Sequence, residues 1–377
     1  MFEPSEHAIF VTLAGSQAHG TARAGSDVDV RGVCVLPLAQ RLSLFRTFEQ
    51  SEAPLTGKLW QIVEGRIRAH PTAQHGLTIG TESVLFELSK FVRLCAAGNP
   101  NALEILFADE CDWLFESAAW RKLYAARTLF LSRKVERTFL GYALAQLKRI
   151  RTHRAWLLQP PSAQPARADF GLPDAGTLNR DDQNRLEQAI AEKVRSYGFE
   201  QIELTPFLRD AVEHRIERFW LDANACSPDE LAERLRAVAT HALGIPAHVV
   251  SALNAEKRYL AALKNWESYR TWLAERNEVR AALERAHGYD TKHAMHLLRL
   301  LRMGLELLET GELRVRRADA AELGAVRDGA LSYDQLLAAS AEVEAKIHAA
   351  ESHSPLPADV DFTAIDALAL ELMHAHS

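Results

Sequence analysis

Two aspartates separated by one residue, Asp27 and Asp29, open a segment that alternates along VDVRGVCVL. If this segment is a strand, both carboxylates project from the same face, and their Cβ atoms lie about 6–7 Å apart. Such a pair suits two Mg²⁺ ions about 3.5–4 Å apart, the arrangement used for in-line phosphoryl transfer. Carboxylate oxygens suit Mg²⁺ or Mn²⁺ better than zinc. The spacing therefore predicts a phosphoryl-transfer site that holds two divalent ions.

A glycine and a serine, Gly15 and Ser16, directly follow a short apolar run and precede the two aspartates by about ten residues. A tight turn at this point offers backbone N–H groups and a hydroxyl to a phosphate tail. His19 and Thr21 lie in the loop that follows, where we expect them to bind the phosphates. Arg31 shares the strand face of the aspartates. Both a phosphate contact and a structural salt bridge remain open for it.

A second set of candidate nucleotide-binding residues lies far along the chain, where Lys292, His296 and Arg299 share one face of a predicted helix. Because the opposite face is apolar and unpaired buried charge is costly, this stripe needs an anionic partner. A triphosphate and a set of salt bridges are equally open. Asp290, His293 and His296 also form a conceivable set of zinc ligands. Because steps of three residues fall short of a full helical turn, the three side chains point in progressively different directions, and binding one ion through all three would be strained. We therefore expect His293 to be a buried, hydrogen-bonded histidine.

A local basic window lies between Glu136 and Asp169, where the sequence contains no acidic residue. The aromatic residues Tyr142 and Trp156 are interleaved with its cations. Such a combination is typical of surfaces that bind single-stranded nucleic acid, although a solvated helix face gives the same pattern. The window therefore predicts acceptor binding, and its candidate residues are Lys148, Arg149, Arg151 and Arg154.

The elements that must position these residues change in character along the chain. The first hundred residues mix β and α signals, with strands predicted at 7–13 and 28–36 and weaker ones at 58–63 and 83–86. After residue 87 the pattern is almost entirely helical, apart from a Pro-rich loop at 159–181. The predicted helices are 101–107, 133–158, 182–195, 206–222, 229–242, 246–287 (broken at least once), 291–309, 333–350 and 362–374.

The combined motif of strand, Gly-Ser, helix and Ser-Asp-x-Asp strand resembles the nucleotidyltransferase superfamily that includes DNA polymerase β. Further segments are similar to a predicted bacterial and phage family within it: KFVRLCAAGNPNALEILF (90–107), GYALAQLKRIRTHRAWL (141–157) and GYDTKHAMHLLRLLRMGLELLETGEL (288–313). The resemblance implies an α+β fold, in which a mixed β-sheet with flanking helices precedes a mainly α-helical region. It also implies a catalytic domain at 1–130 and, at 131–377, a helical domain that completes the nucleotide and acceptor cleft.

The resemblance implies transfer of NMP from an NTP to an acceptor hydroxyl, with release of pyrophosphate. It places a third metal-binding, catalytic carboxylate at Glu82, with Glu87 as the competitor. Glu87 is better explained as an acid that opens a helix, and Glu104 as a structural or supporting acid. An RNA or DNA 3′ end is the favoured acceptor. A small molecule, a protein side chain and a non-catalytic nucleotide-binding role are the alternatives.

Composition further limits the kinds of partner, cysteine site and cellular compartment that we expect. The chain has 377 residues, and its 44 basic and 50 acidic side chains give a formal charge of −6. A protein that coats long nucleic acids is normally basic, so any such contact must be local. Four cysteines without a CxxC pair predict neither a disulfide framework nor a cysteine zinc site. No signal peptide or membrane span is expected, which predicts a cytoplasmic protein.

Overall fold

A computed structural model describes residues 2–45, 47–73, 82–174, 180–196, 236–238, 240–276 and 278–375. Its N-terminal part contains five strands, which are β1 (Ala8–Ala14), β2 (Asp29–Cys34), β3 (Gln50–Ser51), β4 (Ser83–Glu87) and β5 (Trp113–Glu116). They form one mixed sheet in the order β3-β4-β2-β1-β5. β2 and β4 run parallel, and the other neighbouring pairs are antiparallel. The predicted α+β fold class is confirmed.

Helices surround the sheet and make up most of the chain beyond it. Those in the first half are α1 (Gly15–Ala18), α2 (Leu38–Arg41), α3 (Gly57–Ala69), α4 (Leu88–Ala96), α5 (Pro100–Leu106), α6 (Ala118–Ala125) and α7 (Val135–Leu158). Those in the second half are α8 (Arg180–Ser196), α9 (Ala247–Ala274), α10 (Glu278–His287), α11 (Thr291–Thr310), α12 (Ala320–Arg327), α13 (Tyr333–Glu351) and α14 (Phe362–His374).

Both faces of the sheet are covered. On one face α3 packs its buried side chains, Leu59, Val63 and Ile67, against a cluster that includes residues of β1 and β2. The other face continues into a larger core that α4, α5, α6, α7 and α11 share. Helix α11 packs extensively against α7 in this core. The sheet edge that carries the aspartates is therefore fixed against helices from distant parts of the chain.

One predicted strand is wrong: residues 58–63 belong to α3. The apolar positions of this segment recur every four residues through Ile67, a helical period that the six-residue window 58–63 was too short to reveal. The strands β3 and β5 and the helices α2, α6 and α12 were not predicted. The predicted helix at 206–222 and residues 229–235 of the next one lie outside the described residues.

The chain divides into two compact units, one made of residues 1–160 and 277–377 and the other of residues 161–276. The second unit contains α9 and a bidentate ion pair between Arg167 and Glu256, with both N–O distances at 2.7 Å. The functional boundary expected at residue 130 stays a prediction. In the part of the chain that the structure describes, no helix is long and apolar enough to span a membrane.

Candidate active site

The turn after β1 and the start of β2 meet at one edge of the sheet. Ala14 pairs with Asp29 in the antiparallel ladder, so the glycine that follows β1 lies beside the Asp29 side chain. Gly15 has a φ of +59°, a conformation that side-chain-bearing residues rarely adopt. A Cβ at this position would overlap the Asp29 carboxylate. Glycine is therefore required here for two independent reasons.

Asp29 is the least exposed of the three predicted metal-binding acids. Its side chain is half-buried, and burial raises the pKa of its carboxyl group. The charges of Glu82 and Asp27 raise this pKa further, whereas those of Arg31 and Lys292 oppose the rise. Asp27 itself is exposed and lies two residues before the strand. Asp27 and Glu82 thus lie close enough to Asp29 for their charges to act on its carboxyl group.

Glu82 reaches this region through the parallel pairing of β2 and β4. Its carbonyl oxygen accepts a hydrogen bond from the Val30 amide at 2.9 Å, which places Glu82 beside the start of β2. Its exposed carboxylate pairs with Arg31 at 2.9 Å, and the same guanidinium nitrogen lies 3.9 Å from Asp29. Of the two roles left open for Arg31, the structure shows the salt bridge.

The competing acid, Glu87, caps a helix. Its carboxylate accepts hydrogen bonds from the Lys90 amide and the Ser89 hydroxyl, both at 3.1 Å, at the N-terminus of α4. This is the helix-opening role expected for it, at the N-cap position. Glu82 is thus the better placed of the two to act with Asp29.

A cavity of about 630 Å³ extends from this edge of the sheet to helices α5, α7, α10 and α11. This volume lies within the range of small-molecule sites. Ser16, Thr21, Asp27 and Glu82 do not line it. The predicted residues that do are Gly15, His19, Asp29, Arg31, Arg149, Lys292, His296 and Arg299.

Three polar side chains that line the cavity form a network, and two of them, His19 and Arg299, are buried. Glu104 on α5 accepts from His19 Nε2 at 2.9 Å and is also paired with Arg299. Although burial alone would raise the pKa of Glu104, the charge of Arg299 and the hydrogen bond from His19 hold this pKa well below its ordinary value. Burial, together with Arg299, lowers the pKa of His19. Arg299 is therefore neutralised by Glu104, which corresponds to the salt-bridge alternative for the stripe.

The other two members of the stripe differ from Arg299. Burial and the neighbouring positive charges lower the pKa of His296 to about 2, so its ring is neutral. Lys292 is exposed, lines the cavity, and makes neither a hydrogen bond nor an ion pair within the described residues. Of the stripe, Lys292 thus provides a cation that is available to a ligand.

The residues of the basic window on α7 differ in whether they line the cavity. Arg149 is exposed and lines the cavity, as does Tyr142. Arg154 instead donates to the Gly288 carbonyl at 2.7 Å and stacks on Tyr333, so its role is structural. Lys148 and Arg151 are exposed outside the cavity lining, and Trp156 is buried. The structure therefore brings one of the four predicted acceptor-binding cations to the site.

Other cavity residues were not predicted as nucleotide-binding. Asn101, Gln146 and Arg280 belong to three different helices and line the same cavity. Asn101 and Gln146 carry no charge and form no motif, so no local signal distinguishes them from ordinary helix surface.

Two groups of three metal-ligating side chains lie close together among the described residues: His153, Asp290 and His293, and Asp109, Cys111 and Asp112. Asp27, Asp29 and Glu82 do not approach one another that closely, and Arg31 contacts two of them. The site at the sheet edge thus gathers acids around an arginine.

Comparison with known proteins agrees with the geometry of the sheet edge. Residues 3–158 match the family described as "RlaP: RNA repair pathway DNA polymerase beta family", a range that contains the glycine turn and all three acids. No curated protein and no solved structure matches the chain. The turn, the acids and the sheet that joins them thus lie in the part of the chain, residues 3–158, that is similar to a DNA polymerase β-like nucleotidyltransferase family.

Proposed function

We propose that this protein transfers NMP from an NTP to an acceptor hydroxyl, with an RNA or DNA 3′ end as the favoured acceptor. The observation that carries the proposal is the position of Asp29 against Gly15, in a cavity that also holds the unpaired Lys292. In the reaction, the acceptor hydroxyl gives its proton to a carboxylate, Glu82 in our proposal, as its oxygen bonds to the α-phosphorus. The bond from this phosphorus to the bridging oxygen breaks, and pyrophosphate leaves with that electron pair.

Asp27, Asp29 and Glu82 would hold Mg²⁺ or Mn²⁺, two ions per site in our proposal. The raised pKa of Asp29, to which two neighbouring carboxylates contribute, supports a cation at this position, because a divalent ion would relieve the repulsion. Divalent ions supply charge neutralisation for the attacking and leaving oxygens. Without them, Arg31 balances part of the charge on Asp29 and Glu82.

The chain's own groups position the triphosphate. The first N–H groups of α1 have no partners within that helix, so the Gly15 and Ser16 amides are available to phosphate oxygens. Lys292 lowers the pKa of Asp29 through its charge and is well placed to neutralise the leaving pyrophosphate. His296 is neutral and contributes a hydrogen bond instead of a charge. Direct phosphate contacts by His19 and Thr21 stay predictions.

A short RNA 3′ end is the acceptor that the observations favour. Arg149 and Tyr142 lie together on the cavity wall and suit a phosphate and a stacked base. The family description names an RNA repair pathway. The formal charge of −6 weighs against a long polynucleotide.

The test is incorporation of label from each α-³²P-NTP with Mg²⁺ or Mn²⁺, first into RNA and DNA oligonucleotides and then into a cell extract. We expect a labelled oligonucleotide with the native protein and none with Asp29→Asn. Label in a small molecule or a protein would show that the acceptor is that molecule and not a nucleic acid 3′ end. No metal-dependent label on any acceptor would contradict the transfer reaction and leave a non-catalytic nucleotide-binding role.

A further inference from the structure

Three side chains from two helices converge beside the cavity, which one of them, His293, lines, and none belongs to the acids assigned to the transfer reaction. Asp290 Oδ2 lies 3.2 Å from His153 Nδ1 and 3.6 Å from His293 Nε2. His153 belongs to α7, whereas Asp290 caps α11 and His293 lies in its first turn. The third partner is thus provided by a different helix, which removes the strain expected for a set drawn from α11 alone.

We infer that His153, Asp290 and His293 form a Zn²⁺ site that fastens α7 to α11 beside the cavity. Zinc binds nitrogen and oxygen at about 2.0–2.2 Å, so two ligands of a tetrahedral ion lie about 3.3–3.5 Å apart. The separations of 3.2 and 3.6 Å bracket this range. Two imidazoles and one carboxylate are a usual zinc ligand set, with the fourth position taken by water.

The hydrogen bond on the far side of His293 supports this assignment. His293 Nδ1 lies 2.8 Å from Gln146 Oε1, an acceptor, so Nδ1 carries the proton and donates. The neutral ring then directs the lone pair of Nε2 towards the Asp290 carboxylate. Two lone pairs facing each other are unfavourable unless a cation lies between them. A polar partner on the second nitrogen is also the usual arrangement for a metal-bound histidine.

Arg280 is the competitor for this position. Its guanidinium contacts Asp290 Oδ2 and also pairs with Glu284, at 3.4 Å. Zinc must therefore displace Arg280 from Asp290, while the pair with Glu284 keeps the arginine partnered. Arg280 lines the cavity, so zinc binding changes the surroundings of the nucleotide site without using its acids.

The experiment measures zinc bound by the full-length chain after treatment with EDTA, dialysis and addition of ZnCl₂, by plasma mass spectrometry and calorimetry. We expect one tightly bound ion in the native protein and also in Asp29→Asn, which removes a ligand of the proposed magnesium site. His153→Gln and His293→Gln should each weaken binding by at least about 100-fold, more than the loss of an outer partner. His348→Gln, which removes an exposed histidine on α13, serves as the matched control and should bind normally.

Two further measurements keep the inference testable if a histidine variant does not fold. Co²⁺ added to the native protein should give the visible absorption of a tetrahedral site with nitrogen ligands, and Zn²⁺ should abolish it. Arg280→Gln should tighten zinc binding, because the competing cation is removed. Zinc binding that is equal in the native and His153→Gln proteins, or lost with Asp29→Asn, or weakened by Arg280→Gln, would overturn the site. These outcomes do not depend on nucleotidyl transfer.

Discussion

The carboxylate of Asp29 occupies the space into which a side chain at position 15 would project. The antiparallel pairing of Ala14 with Asp29 creates this contact, and the left-handed backbone of Gly15 maintains it. The turn that is expected to hold the triphosphate and the acid that is expected to hold the metal are thus directly in contact. A substitution at either residue should therefore alter the position of the other.

Gly15→Ala should abolish or severely reduce transfer, because the new Cβ displaces the Asp29 carboxylate. The positive φ alone should cost about 1–2 kcal/mol of stability. Gly57 provides a matched control, since its φ is +58° and no atom lies near an added Cβ. Gly57→Ala should show the same loss of melting temperature with normal transfer. Equal activity in both variants would show that the contact with Asp29 is unimportant.

Asp29→Asn should stabilise the EDTA-treated protein and remove its response to Mg²⁺-NTP. Because the pKa of Asp29 is raised in the folded state, the folded protein binds more protons than the unfolded one above the ordinary value of 3.8. Stability therefore falls as the pH rises through this region, and the amide variant escapes the loss. Thermal unfolding at pH 4–8, with and without Mg²⁺-NTP, checks both effects. The exposed Asp27→Ala should unfold like the native protein yet lose transfer. Near-native turnover in either variant would refute the metal assignment.

Lys292→Ala and Arg299→Ala should differ sharply, although both residues belong to the same stripe. Loss of the exposed Lys292 should raise the apparent NTP constant and lower turnover by about 10–100-fold combined, with unchanged stability. Loss of the buried Arg299 leaves the Glu104 charge without its main partner and should cost about 3–5 kcal/mol of stability. Melting temperatures with and without Mg²⁺-NTP decide the question. Lys346→Ala, a surface change on α13, is the control.

Glu104→Gln should destabilise the protein at neutral pH but much less in acid. Arg299 and His19 keep the carboxylate charged when folded, so its stabilising effect is complete above the ordinary pKa of 4.5. As the pH falls below that value, the unfolded chain takes up protons that the folded one does not, and the advantage decreases. Unfolding by denaturant from pH 7 to pH 3 should show the native and variant curves converging. A constant difference would mean that Glu104 is not charged in the folded state.

Arg149→Ala should weaken binding of RNA oligonucleotides, whereas Arg151→Ala on the same helix should have little effect. Only the former lines the cavity, although both are exposed. Removing one phosphate contact should also reduce the salt dependence of binding by about one unit of slope. Fluorescence anisotropy at several salt concentrations measures both quantities. Equal losses in the two variants would instead indicate a contact spread along α7.

The local chemistry of the site follows from the sequence alone. Alternation in VDVRGVCVL is a strand signal with a period of two, and a glycine after an apolar strand marks a turn, so β1, the turn and β2 are determined by neighbouring residues. The long helices α7, α11, α13 and α14 follow for the same reason, because their apolar period repeats many times. The segment at 58–63 was assigned wrongly because it contains too few repeats to separate the two periods.

Only the tertiary structure decided which charges meet. Glu82 reaches Arg31 because β2 and β4 pair in parallel, and Arg299 is neutralised by a glutamate 195 positions away. His153 meets His293 because α7 packs along α11. Such partners share no local period or motif. The free energy that selects them comes from burying apolar surface and from pairing each buried charge, and both depend on the complete arrangement of the helices and the sheet.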